Sequence, residues 1–229
     1  MTIFKSIINI VLTLIIVICA YKIIHQLKEY NDADKVYNLI REEKEESDNL
    51  FEKNIDYRGW IKIDNTNINY PILQGQDNEE YLYKDINNEY IVSGSIFMNY
   101  LNNGFDDQNT VLFGHNMKNG TMFANLKKYK EEDFFYNNND IEIELSNGQY
   151  LKYKVFSVYI TDINDNYTKT SFEDKDEYKE FLERIKNKSI YKSDISVNEN
   201  DKIITLSTCS YEFDDARLVV TGKLIDKEQ

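Results

Sequence analysis

Hydrophobic residues follow three patterns along this chain, and each pattern predicts a different kind of element. From Ser6 to Tyr21 no residue is charged, and Ile23 and Ile24 carry the apolar character past Lys22. A helix of about sixteen residues spans roughly 24 Å, and flanking lysines can snorkel, so this run is a short membrane-crossing helix. From Asp32 to about Asn54 the chain is highly charged and reads as a second helical stretch, with Val36, Leu39, Ile40, Leu50 and Phe51 as its apolar contacts. Its run Arg41-Glu-Glu-Lys-Glu-Glu46 reads as a solvated face rather than a partner-binding patch.

Further on the pattern breaks into short β-like runs at Trp60–Ile63, Ile68–Leu73, Ser95–Met98, Thr110–Phe113, Ile141–Leu145 and Tyr150–Ile160. Asn147-Gly148 between the last two suits a tight hairpin turn. Helices interrupt the strands at about Thr121–Tyr129 and at Lys175–Asn187, where Tyr178, Phe181, Leu182 and Ile185 mark one apolar face. Final strands are expected over Lys202–Cys209 and Arg217–Leu224. The chain therefore divides into an N-terminal anchor at 1–28, a helical linker at 29–55 and a mainly β domain at 56–229, with no internal repeat.

Composition narrows the possibilities. The first 28 residues contain three lysines and no acidic residue, so the rest carries −16 of the net −13. Such a domain is repelled by nucleic acid, and no basic stripe with interleaved aromatics offsets this. Tyrosine (18) and phenylalanine (12) are abundant while proline (1) and glycine (8) are scarce, which favours a folded domain with a substantial core. A cleaved signal peptide is the main rival to an uncleaved anchor, but no A-x-A-like site follows the apolar run. A lipoprotein reading of Cys19 fails because bulky Ile18 precedes it. Lysines flank the run on both sides, so charge alone does not orient it.

Two cysteines and two histidines occur in the chain, and Cys19 and His25 belong to the anchor region. Cys209 and His115 are left as the only such pair in the domain. Cys209 closes a strand-like run among the polar residues Ser207, Thr208 and Ser210; His115 follows another in Phe113-Gly-His-Asn-Met117; Arg217 opens the next strand. Taken singly these read as a buried structural thiol, a satisfied histidine and a surface arginine. Together, a thiol, an imidazole and a guanidinium are the parts needed for acyl transfer through a thioester. Asp162, Asn164, Asn166 and Glu173 mimic EF-hand spacing, but Tyr167 stands where that loop needs glycine and a strand precedes it. One histidine and one cysteine are too few for zinc. No metal or cofactor is expected.

The sequence Thr205-Leu-Ser-Thr-Cys209, followed by Arg217-Leu-Val-Val and preceded by Gly114-His-Asn-Met117, resembles the signature of the sortases, cysteine transpeptidases of Gram-positive cell surfaces. The likeness extends through Tyr70–Asn78, Tyr81-Leu82, Gly94–Met98, Met122-Phe123 and Asp165–Tyr167, and the Thr-Leu-Ser-Thr-Cys form with its N-terminal helical extension resembles class B. The resemblance implies an eight-stranded β-barrel with a long helix before the catalytic strand. It implies Cys209 as nucleophile, His115 as acid/base and Arg217 as oxyanion partner. Asn78, Leu82, Tyr167 and, more weakly, Ser207 match substrate-groove positions. The implied partners are secreted proteins bearing a C-terminal sorting signal cleaved after threonine, and a peptidoglycan amine that accepts the protein. The implied location is the cell membrane, with the domain outside. Two other readings stay open on the residues alone: a tethered cysteine peptidase, and a non-catalytic domain that binds peptides or cell-wall fragments.

Overall fold

Eight strands in the computed structural model, which describes residues 2–46 and 50–228, close into a barrel. They are β1 (Tyr57–Lys62), β2 (Asn69–Leu73), β3 (Ile96–Met98), β4 (Asn109–Phe113), β5 (Asp140–Leu145), β6 (Tyr150–Asp162), β7 (Ile203–Cys209) and β8 (Ala216–Glu228). Their order around the barrel is β1-β2-β3-β4-β7-β8-β6-β5. Closure gives every strand a hydrogen-bonded neighbour on each side. The β2/β3 and β4/β7 pairs are parallel and the others antiparallel. Each expected β-like run has become a strand, and Gly148 turns the β5–β6 hairpin with φ of +81°.

Two apolar clusters sit on opposite faces of the same strands. Ile61, Leu112, Ile143, Leu206 and Val220 fill the barrel interior and are wholly buried. Outside it, helix α4 (Lys175–Lys188) lays Tyr178, Phe181, Leu182 and Ile185 over Phe156, Tyr159, Ile203 and Val219. The Asp174 side chain accepts the Glu177 N–H at 2.8 Å, and Glu177 accepts the Glu173 N–H at 2.8 Å, a reciprocal cap that starts this helix. Strands β7 and β8 are therefore sandwiched, and their alternation decides which residues meet the core and which meet the outer layer.

The N-terminal helix α1 runs unbroken from Thr2 to Glu46. Its first part is long and apolar enough to cross a membrane, and it is not packed against the rest of the protein. Its last turns dock on the barrel through Ala33, Tyr37 and Ile40, one stripe at i, i+4 and i+7. Two sequence expectations fail here. Leu39 falls off that stripe and is 59% exposed, and Phe51, on the short helix α2 (Leu50–Lys53), is 48% exposed. The charged run is also only partly solvated. Lys44 pairs with Glu144 at 2.6 Å, while Arg41 donates to the Asn69 carbonyl at 3.2 Å and covers the Tyr70 ring. Expected helical positions 47–49 lie outside the described residues.

The expected helix near Thr121 is instead a 3-10 segment, Phe123–Lys130, followed by helix α3 (Glu132–Asn137). Phe123, Leu126 and Tyr129, all wholly buried, recur every third residue, which suits three residues per turn rather than 3.6. Truncating Leu182, 1% exposed on the buried face of α4, should lower unfolding free energy by about 2–4 kcal/mol in a denaturant titration of Leu182→Ala. An unchanged midpoint would contradict the packing of α4.

Candidate active site

Parallel pairing of β4 with β7 brings the two rare side chains together. The register aligns Asn109 with Ile203 and Phe113 with Ser207, an offset of 94 residues. Carried two residues further, that offset sets His115 beside Cys209. The Thr208 hydroxyl donates to the Gly114 carbonyl at 2.7 Å, and the Asn116 side-chain amide donates to the Cys209 carbonyl at 2.8 Å, so the alignment persists beyond the ladder. On the other flank β8 is antiparallel, with Arg217 directly opposite Cys209. Directly opposed residues share a face. Ile204 and Leu206 of β7 point into the barrel, so Thr205, Ser207 and Cys209 point outward, and Arg217 does the same from β8.

Gly114 makes this approach possible. A Cβ there would lie 2.5 Å from Ile96 Cδ1 and 2.9 Å from the Phe123 ring. The glycine is needed for close passage rather than for an unusual φ, since its φ is not positive.

The outward ends of β4, β7 and β8 open into a cleft of about 390 Å³. Cys209, His115 and Arg217 line it together with Asn78, Leu82, Tyr167 and Ser207, so all seven expected site residues converge there. Cys209, His115 and Arg217 are each partly exposed. His115 Nε2 lies 2.9 Å from the Leu82 carbonyl oxygen, which can only accept. Nε2 therefore carries a proton, and Nδ1 is the nitrogen free to exchange one. The Tyr83 ring packs against the imidazole at 5.5 Å between centroids.

Tyr167 and Ser207 hold each other, hydroxyl to hydroxyl, at 3.0 Å. Burial raises the Tyr167 pKa, against opposing effects of Ser207 and Arg217, so this phenol stays neutral. Asn78 accepts the Tyr100 N–H at 3.1 Å, which turns its amide toward the cleft wall. Phe97, Phe113 and Ile163 complete an apolar lining that the sequence reading had not assigned. The contacts of Thr208 with Gly114 and of Asn116 with Cys209, 94 and 93 residues apart, become visible only once the two strands are paired.

The loop with EF-hand-like spacing is held by its own hydrogen bonds and by ion pairs to α4. The Asp162 carboxylate accepts the Asn164 N–H at 2.8 Å, and Asp165, a residue outside that spacing, is held by Arg184 and by Lys188, the latter at 2.7 Å. Burial pushes the Asp165 pKa up, but Lys188, Thr161 and Arg184 together bring it below the usual carboxylate range.

Comparison with known proteins agrees with this geometry. The sortase domain model matches residues 61–225. The chain belongs to the sortase family. It is 38% identical to sortase B of Listeria monocytogenes, covering 89% of this chain and 86% of that protein, and 36% identical to sortase B of Staphylococcus aureus, covering 97% of each. Among solved structures it matches sortase B of Clostridium perfringens with a TM-score of 0.75 and 45% identity, over 78% of this chain and 98% of that one. It matches a Staphylococcus aureus sortase B–substrate complex with a TM-score of 0.79 and 35% identity, over 86% and 98%. The expected class B assignment and eight-stranded barrel both hold. The sortase is thus a cysteine transpeptidase of the cell-wall anchoring type, acting on proteins that carry sorting signals.

The loop between β7 and β8 is tied to the 3-10 segment by an ion pair. Glu212 pairs with Lys130 at 2.5 Å and accepts from the Ser210 hydroxyl, and these two partners lower its pKa to about 2. A lowered folded-state pKa means a contribution fully present above the unfolded value of about 4.3 and lost as pH falls toward 2. The pair is largely solvated, so the contribution is below about 1 kcal/mol. The stability difference between wild type and Glu212→Gln should therefore be constant above about pH 5 and vanish near pH 2 in acid titrations. A difference that instead grew with acid would reverse the assignment. Gly114→Ala, meanwhile, should destabilise by about 1–3 kcal/mol through forced displacement of Ile96 and Phe123, read as a drop in melting temperature.

Proposed function

We propose that Cys209 is the nucleophile of this transpeptidase, His115 its acid/base and Arg217 its oxyanion partner. The observation that carries the reading is the strand register that sets His115 beside Cys209 on one flank and Arg217 opposite it on the other, in one cleft. The Cys209 thiolate attacks the carbonyl that follows the threonine of a sorting signal. The C–S bond forms as the carbonyl π electrons move onto oxygen, and the Arg217 guanidinium, which keeps its charge throughout, faces that oxyanion. Collapse breaks the C–N bond, and the imidazolium of His115 protonates the departing amine. A second amine then attacks the thioester, neutral His115 takes its proton, and the C–S bond breaks to return the thiolate.

The neutral, largely apolar walls formed by Leu82, Phe97, Phe113 and Ile163, with the Tyr167–Ser207 pair and Asn78 among them, suit an extended peptide and supply few charges to compete with the reacting groups. The second amine belongs to peptidoglycan, which makes the product a covalently anchored surface protein. Residues 1–28 anchor the enzyme as a single span, 29–55 form the helical connection and 56–229 the catalytic domain on the outer side of the membrane. The exposed apolar start of α1 supports this arrangement.

Cys209→Ala and His115→Ala should each abolish cleavage of a sorting-signal peptide while the circular dichroism spectrum stays that of the wild type. A folded Cys209→Ala variant that still cleaves would sink the proposal. Arg217→Lys should lose roughly 10²-fold or more in kcat, because an ammonium cannot reproduce the planar fork. A tethered peptidase with the same residues would give one product pattern regardless of added amine. The transpeptidase reading requires that the amine divert thioester from hydrolysis to aminolysis, seen by mass spectrometry of the products.

A further inference from the structure

The segment that cradles His115 is itself held from below by the N-terminal helix. Leu82, whose carbonyl accepts from His115 Nε2, and Tyr83, whose ring packs on the imidazole, lie in the long crossover between β2 and β3. The return of that crossover, Gly94-Ser95, runs directly beneath them. Ser95 N–H donates to the Tyr81 carbonyl at 3.0 Å, and Ser95 Oγ donates to the Lys84 carbonyl at 2.7 Å. Gly94 has φ of +54°, and a Cβ on it would lie 2.1 Å from the Leu82 carbonyl oxygen. Residues 81–84 therefore rest on a backbone platform that cannot shift without moving the Leu82 carbonyl.

Tyr37 of α1 reaches that platform. Its hydroxyl donates to the Gly94 carbonyl and lies 3.2 Å from Ser95 Oγ, and its ring, 3% exposed, is braced edge-on by Tyr70 at 5.1 Å between centroids. The path from helix to imidazole is thus three contacts long: Tyr37 hydroxyl to Gly94 carbonyl, Gly94 against the Leu82 carbonyl, Leu82 carbonyl to His115 Nε2. Hydroxyl donation to a buried carbonyl fixes that peptide's orientation, and an acceptor on one imidazole nitrogen fixes which nitrogen is left for proton transfer.

We propose that Tyr37 is a positioning residue for His115, acting through Gly94 and the Leu82 carbonyl, so that the docked end of α1 is part of the catalytic unit. This rests on the reading of His115 as acid/base. The consequence is specific: the Tyr37 hydroxyl sets the orientation of the imidazole and the identity of its free nitrogen, while among the peptide-binding walls only Asn78 and Leu82 lie in that crossover and Phe97, Phe113, Ile163, Tyr167 and Ser207 do not. Loss of the hydroxyl should therefore slow turnover without weakening peptide binding.

The test is Tyr37→Phe in the full chain in detergent micelles, which keeps the ring packing and deletes one hydroxyl. The expected result is a fall in kcat of roughly tenfold with the peptide KM within about twofold, the scale of one lost orienting hydrogen bond. Long-range nitrogen–proton spectra of the imidazole, with the His115 signals assigned by their disappearance in His115→Ala, should show the Nε2-protonated form in the wild type and averaging of both tautomers in Tyr37→Phe. A wild-type kcat in Tyr37→Phe, or a reduced kcat with the tautomer still fixed, would overturn the proposal. Cleavage retained by His115→Ala would sink the acid/base reading instead, and the tautomer spectra would still report whether Tyr37 orients the ring. Gly94→Ala, if it folds, should reproduce the tautomer averaging of Tyr37→Phe.

Discussion

Parallel hydrogen bonding between β4 and β7 is the constraint on which the rest of the site depends. It fixes a 94-residue offset from Asn109/Ile203 to Phe113/Ser207, and the same offset carries past the ladder to Thr208 and Gly114. A slip of one residue would turn Cys209 into the barrel and an interior leucine into the cleft. The register is protected on both faces: Ile204 and Leu206 are committed to the core, and Ile203 is committed to the layer under α4. The helix that covers the outer face thus contributes to the position of the reactive thiol without approaching it.

Much of the barrel was legible in the sequence because its strands are short, apolar and separated by clear turn signals. Trp60–Ile63 and Tyr150–Ile160 correspond to β1 and β6 with boundaries moved by one to three residues, and the apolar face of α4 is legible residue by residue. That Cys209, His115 and Arg217 would come together was legible from scarcity and order along the chain, and the convergence of Asn78, Leu82, Tyr167 and Ser207 on the same cleft from family likeness. What escaped was whatever depends on pairing across long separations. Asn116 has no local reason to hold the Cys209 carbonyl, and Leu82, expected as a groove position, also offers its carbonyl to His115. The docking stripe of α1 escaped for a similar reason. Tyr37 and Ala33 are not conspicuously apolar in a charged helix, and only the surface they meet distinguishes them from Leu39.

The outward face of β7 shows how one strand serves two purposes. Ile203 meets α4, Thr205 donates to the Asn109 side chain at 2.8 Å, Ser207 meets Tyr167, and Cys209 reaches the cleft. The series passes from apolar to polar to reactive along a single edge, as the covering layer gives way to open space. Burial therefore falls toward Cys209 while the backbone of β7 remains paired on both sides, which keeps a partly exposed thiol on a rigid support.

The continuity of α1 from Thr2 to Glu46 has a mechanical consequence. A helix of 45 residues is about 68 Å long, and nothing in it acts as a swivel between the apolar end and the barrel it docks against. With that end in a bilayer, the cleft is carried at a set height and tilt, like a tool on a stiff arm. An enzyme held in that way would not search in three dimensions: it would sweep a thin layer above the membrane plane, and both of its substrates would have to be presented within that layer to be joined.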